Sequence, residues 1–105
     1  LLPPPPSAVE EAAALKESGN ALYAAKDYEG ALVKYTSAIV LSPLDAKLYS
    51  NRCACHLSSG SYSAAVLDAA RARHLAPEWT KALYRLAQAR LGVGRYEDAA
   101  CAAWE

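Results

Sequence analysis

Five side chains in this sequence donate hydrogen bonds and suit one chemistry. Lys16 and Asn20 stand four residues apart, as do Lys81 and Arg85, and Asn51 lies between the two pairs. Residues four apart share a helix face. Together they offer three positive charges and two neutral amides. Such a set suits an anion, and a carboxylate above all. Each charge-assisted bond from a lysine or arginine is worth about 1.5–3 kcal/mol net. The amides add neutral donors that reach the same anion or a ligand backbone. A chain terminus ending in Asp offers two carboxylates to one such floor, and capture of a C-terminal carboxylate is a recurring recognition mode. Singly, each residue also has an ordinary use. Lys16 and Lys81 could be solvated helix lysines, Asn20 a local helix end, and Asn51 a buried amide. Arg85 could pair with Glu78, seven residues earlier.

Only a repeated architecture brings such distant residues together. Tyr28, Tyr62 and Tyr96 are spaced by 34 residues, as are Ala31, Ala65 and Ala99. Ala38 matches Ala72, and Pro43 matches Pro77. Gly19, Cys53 and Ala87 keep the same period, as do Leu15, Tyr49 and Leu83. Each period reads as two helices. Leu15, Gly19 and Leu22 give one helix face, and Asp27 marks a turn. Ala31, Tyr35 and Ala38 share a face of the next helix, which Ser42-Pro43 stops. The second repeat runs from about Leu44 through Ser58, breaks at Ser59-Gly60-Ser61, and continues from Tyr62 to Leu75. The third runs from about Trp79 to Leu91. It is expected to break at Gly92-Val93-Gly94 and resume at Tyr96.

Composition agrees with an all-α chain. Of 105 residues, 24 are alanine, one is isoleucine and five are valine. Alanine is the best helix former, and β-branched strand formers are scarce. A formal net charge of +0 argues against a protein that grips nucleic acid through its phosphates. No apolar run reaches the ~18–20 residues of a membrane span, so direct membrane insertion is not expected. Leu1-Leu2 and four prolines do not make a signal peptide. The chain lacks an initiator Met and reads as a fragment. Cys53, Cys55 and Cys101 are too few for a disulfide framework. With His56 they lack the spacing of a zinc site. We therefore expect structural thiols, no metal and no cofactor, in a reducing, cytoplasmic setting.

A period of 34 with two helices and a closing proline resembles the tetratricopeptide repeat, TPR. The resemblance covers about residues 12–105 and implies a right-handed solenoid of three helix pairs. The repeats would span about 12–45, 46–79 and 80–105, the third cut short and without a capping helix. Residues 1–7 read as a proline-rich linker and 8–105 as the domain. Its concave groove would be lined by the helices near 12–25, 45–58 and 79–91.

The resemblance is closest to the carboxylate-clamp TPR domains of chaperone adaptors. Leu15-Lys16-Glu17-Ser18-Gly19-Asn20, Leu48-Tyr49-Ser50-Asn51-Arg52 and Trp79-Thr80-Lys81-Ala82-Leu83-Tyr84-Arg85 carry it. It implies that Lys16, Asn20, Asn51, Lys81 and Arg85 are the clamp. It also implies binding to the Glu-Glu-Val-Asp tails of the 70- and 90-kDa heat-shock chaperones. Tyr23, Ala54, Leu57 and Tyr84 are expected to line the peptide groove. Cys53-Ala54-Cys55-His56 and Ser58 depart from the family pattern, which leaves the preferred chaperone open. No catalytic constellation is evident, so the expected role is a non-catalytic adaptor. The alternative is a structural scaffold that holds an internal segment or helix of a partner. Ala99, Ala103 and Trp104 would leave an uncovered apolar stripe, which predicts either self-association through the C-terminal end or fraying there.

Overall fold

The structure is a computed structural model that describes residues 7–104, with side chains described for 7–95. It contains five helices: α1 (Ala8–Ala24), α2 (Tyr28–Leu41), α3 (Ala46–Ser59), α4 (Tyr62–Leu75) and α5 (Thr80–Trp104). No strand occurs among the described residues. The proline segment Leu1–Pro6 lies outside them.

Local chemistry sets the helix starts. The Ser7 hydroxyl accepts from the Glu10 N–H at 3.2 Å. Asp27 Oδ1 accepts from the Gly30 N–H and Asp45 Oδ1 from the Lys47 N–H, both at 3.0 Å. Each caps an N–H that the first helical turn leaves unpaired. The α1–α2 and α3–α4 reversals share one backbone device. Lys26 and Gly60, 34 residues apart, have φ of 63° and 77°. This left-handed turn lets the Asp27 N–H reach the Leu22 carbonyl and the Ser61 N–H reach the His56 carbonyl, both at 2.8 Å. Proline closes α2 and α4 as expected, since each ends just before Ser42-Pro43 or Ala76-Pro77.

One expected break is absent. Gly92-Val93-Gly94 does not interrupt α5, which continues to Trp104. Gly94 matches Lys26 and Gly60 in the period, but glycine permits a left-handed turn without imposing it. At Lys26 and Gly60 the following helix packs back and rewards the reversal. Among the described residues, no helix packs back on α5, so the regular backbone hydrogen bonds prevail. The side chains of Ala99, Ala103 and Trp104, on which the expected self-association rests, lie outside the described set.

The core is periodic. Ala31, Tyr35, Ala38, Leu48 and Cys55 form one buried cluster. Moved by 34 residues, they become Ala65, Ala69, Ala72, Ala82 and Ala89, all buried completely. Alanine at these crossings lets the helix backbones approach closely, at little side-chain entropy cost. Helices α1, α3 and α5 contact one another in sequence, which aligns the first helix of each repeat.

Three buried acids in this core stay protonated. Burial pushes the Cys53 and Cys55 thiols up to about 11 and the Tyr35 hydroxyl up to about 12. Their ordinary values are 9.0 and 10.0, so the unfolded chain releases these protons first. Stability is therefore full below about pH 9 and falls as pH climbs through 9–12. Melting temperatures recorded from pH 8 to 11.5 should be flat at first and then decline. A flat profile throughout would contradict the burial of all three.

Candidate functional site

Asn20, Tyr23, Tyr35, Asn51, Ala54, Lys81 and Arg85 line one cavity of about 200 Å³. Helices α1, α3 and α5 each contribute, and α2 adds Tyr35 from beneath. The floor therefore gathers four of the five donors expected from sequence. Lys16 is half-buried on α1, one turn before Asn20, outside the lining. Two of the four groove residues, Tyr23 and Ala54, are in the lining; the other two lie elsewhere. Tyr84 is 60% exposed on α5, because its neighbours Lys81 and Arg85 occupy the inward face. Leu57 packs beside the cluster of Cys53, Ala65 and Leu86. It lines a neighbouring cavity of about 450 Å³ with Tyr62, Gln88, Leu91, Gly92 and Arg95.

The donors in the central cavity are largely unspent. No carboxylate lines it. Arg85 Nε is buried with no hydrogen-bond partner among the described residues, and no ion pair with Glu78 forms there. A buried guanidinium N–H without a partner is costly in the unliganded protein. Gln88 Oε1, one turn further along α5, is likewise buried and unpartnered. Gln88 lines the neighbouring cavity with Leu57, and the sequence did not single it out. Its position three residues after Arg85 was the available signal.

The amides have fixed orientations. The Tyr35 hydroxyl donates to Asn20 Oδ1 at 2.5 Å. Asn51 Nδ2 donates to the same oxygen at 3.4 Å. Tyr23, edge-on to Tyr28 with ring centroids 5.4 Å apart, places its hydroxyl 3.4 Å from Ser58 Oγ.

A second polar cluster holds the site's scaffold. Arg52 donates to both carboxylate oxygens of Asp68, through Nε at 2.8 Å and Nη2 at 2.7 Å. His56 Nε2 lies 3.4 Å from Asp68 Oδ2. The pair ties α3, which carries Asn51, to α4. Its remaining Nη1 donates to Thr36 Oγ1 on α2 at 3.4 Å. Tyr49 is stacked near Arg52 and Arg71, at 5.8 and 6.0 Å, and donates to the Pro43 carbonyl at 2.8 Å. The hydrogen bond and charge of Asp68 raise the Arg52 guanidinium further, against the effect of burial. Burial lowers the His56 imidazole below its ordinary range, and Arg52 adds to this against Asp68. His56 is thus neutral at pH 7, and the ion pair proper is Arg52–Asp68.

Cys53 and Cys55 are buried thiols that stay protonated at neutral pH, which removes the thiolate that nucleophiles and metal ligands need. Among the described residues, no group of three His, Cys, Asp or Glu could hold a metal. No described helix is long and apolar enough to cross a membrane.

Stacked helix pairs with a donor-lined groove define a repeat scaffold of the protein-interaction class. The chain belongs to the tetratricopeptide repeat family. It is 34% identical to the Arabidopsis OM64 TPR domain, with a TM-score of 0.81, covering 90% of this chain and 78% of that one. The second TPR domain of human RPAP3, in complex with the HSP70 peptide SGPTIEEVD, matches with a TM-score of 0.81 at 29% identity. That match covers 89% of this chain and 78% of the other. The wheat (Triticum aestivum) Hsp70-Hsp90 organizing protein is 43% identical over 87 residues, 83% of this chain. The chain spans only 15% of that protein's length, and 15% of the Schizosaccharomyces pombe sti1 homolog. No protein-family model matches the chain.

Proposed function

We propose that this domain is a non-catalytic adaptor module that captures the C-terminal Glu-Glu-Val-Asp tail of 70- or 90-kDa heat-shock chaperones in the cytoplasm. The observation that carries this reading is the cavity floor. Asn20, Asn51, Lys81 and Arg85 converge there with no acid among them, and Arg85 has a buried donor without a partner. Lys16, one turn from Asn20, completes the clamp when its flexible side chain swings to the ligand. At about 200 Å³ the cavity is smaller than the ~300–1,000 Å³ that engulfs a drug-sized molecule. It is suited to a chain end rather than to the body of a ligand. The TPR domain of RPAP3, solved with a peptide ending in EEVD, supports the choice of ligand.

The lysines and Arg85 supply charge-assisted bonds to the terminal and side-chain carboxylates of the last Asp. The asparagine amides hold the terminal backbone. A few such bonds, after ordering costs, are compatible with micromolar binding, or about −8 kcal/mol. Calorimetry with an eight-residue tail ending in Glu-Glu-Val-Asp tests this. The free acid should bind with a micromolar constant that weakens as salt rises, because the groove charges are partly exposed. The amidated peptide should bind at least tenfold more weakly. Equal binding of the two forms would instead identify a scaffold for internal segments.

A further inference from the structure

We propose that Tyr35, on α2 behind the groove, is the positioning residue of the carboxylate site. Its hydroxyl fixes the Asn20 amide with the NH₂ end toward the cavity. The inference rests on the carboxylate reading above and adds a residue that no donor motif contains.

An amide oxygen carries two lone pairs, and its NH₂ carries two donors. Asn20 Oδ1 already accepts from the Tyr35 hydroxyl and from Asn51 Nδ2. With the oxygen occupied on the protein side, Nδ2 is the end left for an incoming carboxylate. Without the hydroxyl, the amide could turn its oxygen into the cavity and repel the anion. Tyr35 is well placed to prevent this. It is 2% exposed, yet it belongs to the cavity lining. Its ring lies against the α1 backbone at Gly19, where a Cβ would sit 2.6 Å from the ring Cε1. A ring held there leaves its hydroxyl little freedom. Burial also pushes the Tyr35 proton to about 12, so the hydroxyl keeps it across physiological pH.

The repeat itself argues that this hydroxyl serves the site rather than the fold. One period later Tyr35 becomes Ala69, and Asn20 becomes Ala54. The second repeat packs in the same register without either polar group. Hydroxyl and amide occur together once, where the cavity needs an oriented donor.

The test is Tyr35→Phe, alone and combined with Asn20→Ala, measured by calorimetry against the free-acid tail ending in Glu-Glu-Val-Asp. Loss of one neutral hydrogen bond predicts that Tyr35→Phe weakens binding about three- to tenfold. In the Asn20→Ala background, Tyr35→Phe should have no further effect, because Tyr35 acts through Asn20. The Asn20 side-chain NH₂ resonances should shift in unliganded Tyr35→Phe, which reads the amide's setting independently of affinity. Parent-like binding by Tyr35→Phe, or unshifted resonances, would overturn the inference while leaving the clamp intact. An equal loss in both backgrounds would overturn it too, by showing that Tyr35 touches the ligand itself. If the parent does not distinguish free from amidated tails, the carboxylate reading fails and this inference fails with it.

Discussion

Arg85→Ala lowers affinity for a tail ending in Glu-Glu-Val-Asp by ten- to a hundredfold, and the melting temperature holds or rises. The binding loss follows from the energy of charge-assisted bonds, about 1.5–3 kcal/mol for hydrogen bonds to charged groups. Arg85 lines the cavity and carries a donor that nothing in the described structure satisfies. The variant loses both the charge and the fork geometry that a carboxylate would engage. Lys81→Ala should lose less, because a lysine is a point charge whose place a neighbouring cation partly fills. Arg85→Lys should fall between parent and alanine for the same reason. The stability result follows from the same unpaired atom. Burying an N–H without a partner costs free energy in the unliganded state. Removing it strands nothing inside the protein. Calorimetry and thermal melts on the same samples check both halves. Retained affinity in Arg85→Ala would sink the assignment, and a collapsed melting temperature would show that Arg85 is structural.

The largest stability effect should come from the opposite kind of arginine. Arg52→Ala is expected to cost about 3 kcal/mol or more, since removing one partner of a buried pair leaves the other charge uncompensated. That is a large part of the ~5–15 kcal/mol of a typical domain. The Asp68 side chain is only 7% exposed and accepts two short bonds from Arg52. His56 lies 3.4 Å from Asp68 and its lowering owes partly to Arg52, so only its protonation, favoured at low pH, returns part of the lost charge. The double variant Arg52→Met with Asp68→Leu should recover much of the loss, because no orphaned charge remains. Urea denaturation of the three chains checks this. A cost under about 1 kcal/mol for Arg52→Ala would mean that water compensates Asp68 as at an exposed pair. Because the pair also ties α3 to α4, and α3 carries Asn51, Arg52→Ala should weaken tail binding as well.

The two arginines differ in how visible they were. Arg85 stands four residues from Lys81 in a repeat whose period places both on a groove helix. The Arg52–Asp68 pair spans 16 residues and two helices, so no single-helix spacing joins its members. A hint was present. Asp68 falls within the 65, 68, 69, 72 spacing of an alanine face, and an acid there must find a buried partner. Tyr35 was legible in the same partial way. Its face with Ala31 and Ala38 marked it as core, but a buried tyrosine hydroxyl also needs a partner.

The sequence by itself determined the helical repeat, its reversals up to Pro77 and the residues able to donate to an anion. These follow from local physics: a 34-residue apolar period, side chains that cap helix starts, and prolines that refuse the next turn. Tertiary structure decided the rest. Whether Gly94 turns depends on a following helix that rewards the turn, and among the described residues none packs back, so α5 runs on. Which of Lys81, Tyr84 and Arg85 face inward depends on how α5 is rotated against α3, and Tyr84 was turned to solvent. The orientation of the Asn20 amide was set by a hydroxyl from α2 and an amide from α3. Such arrangements are long-range in the chain, and they become definite only when packed helices fix distances to a fraction of an ångström.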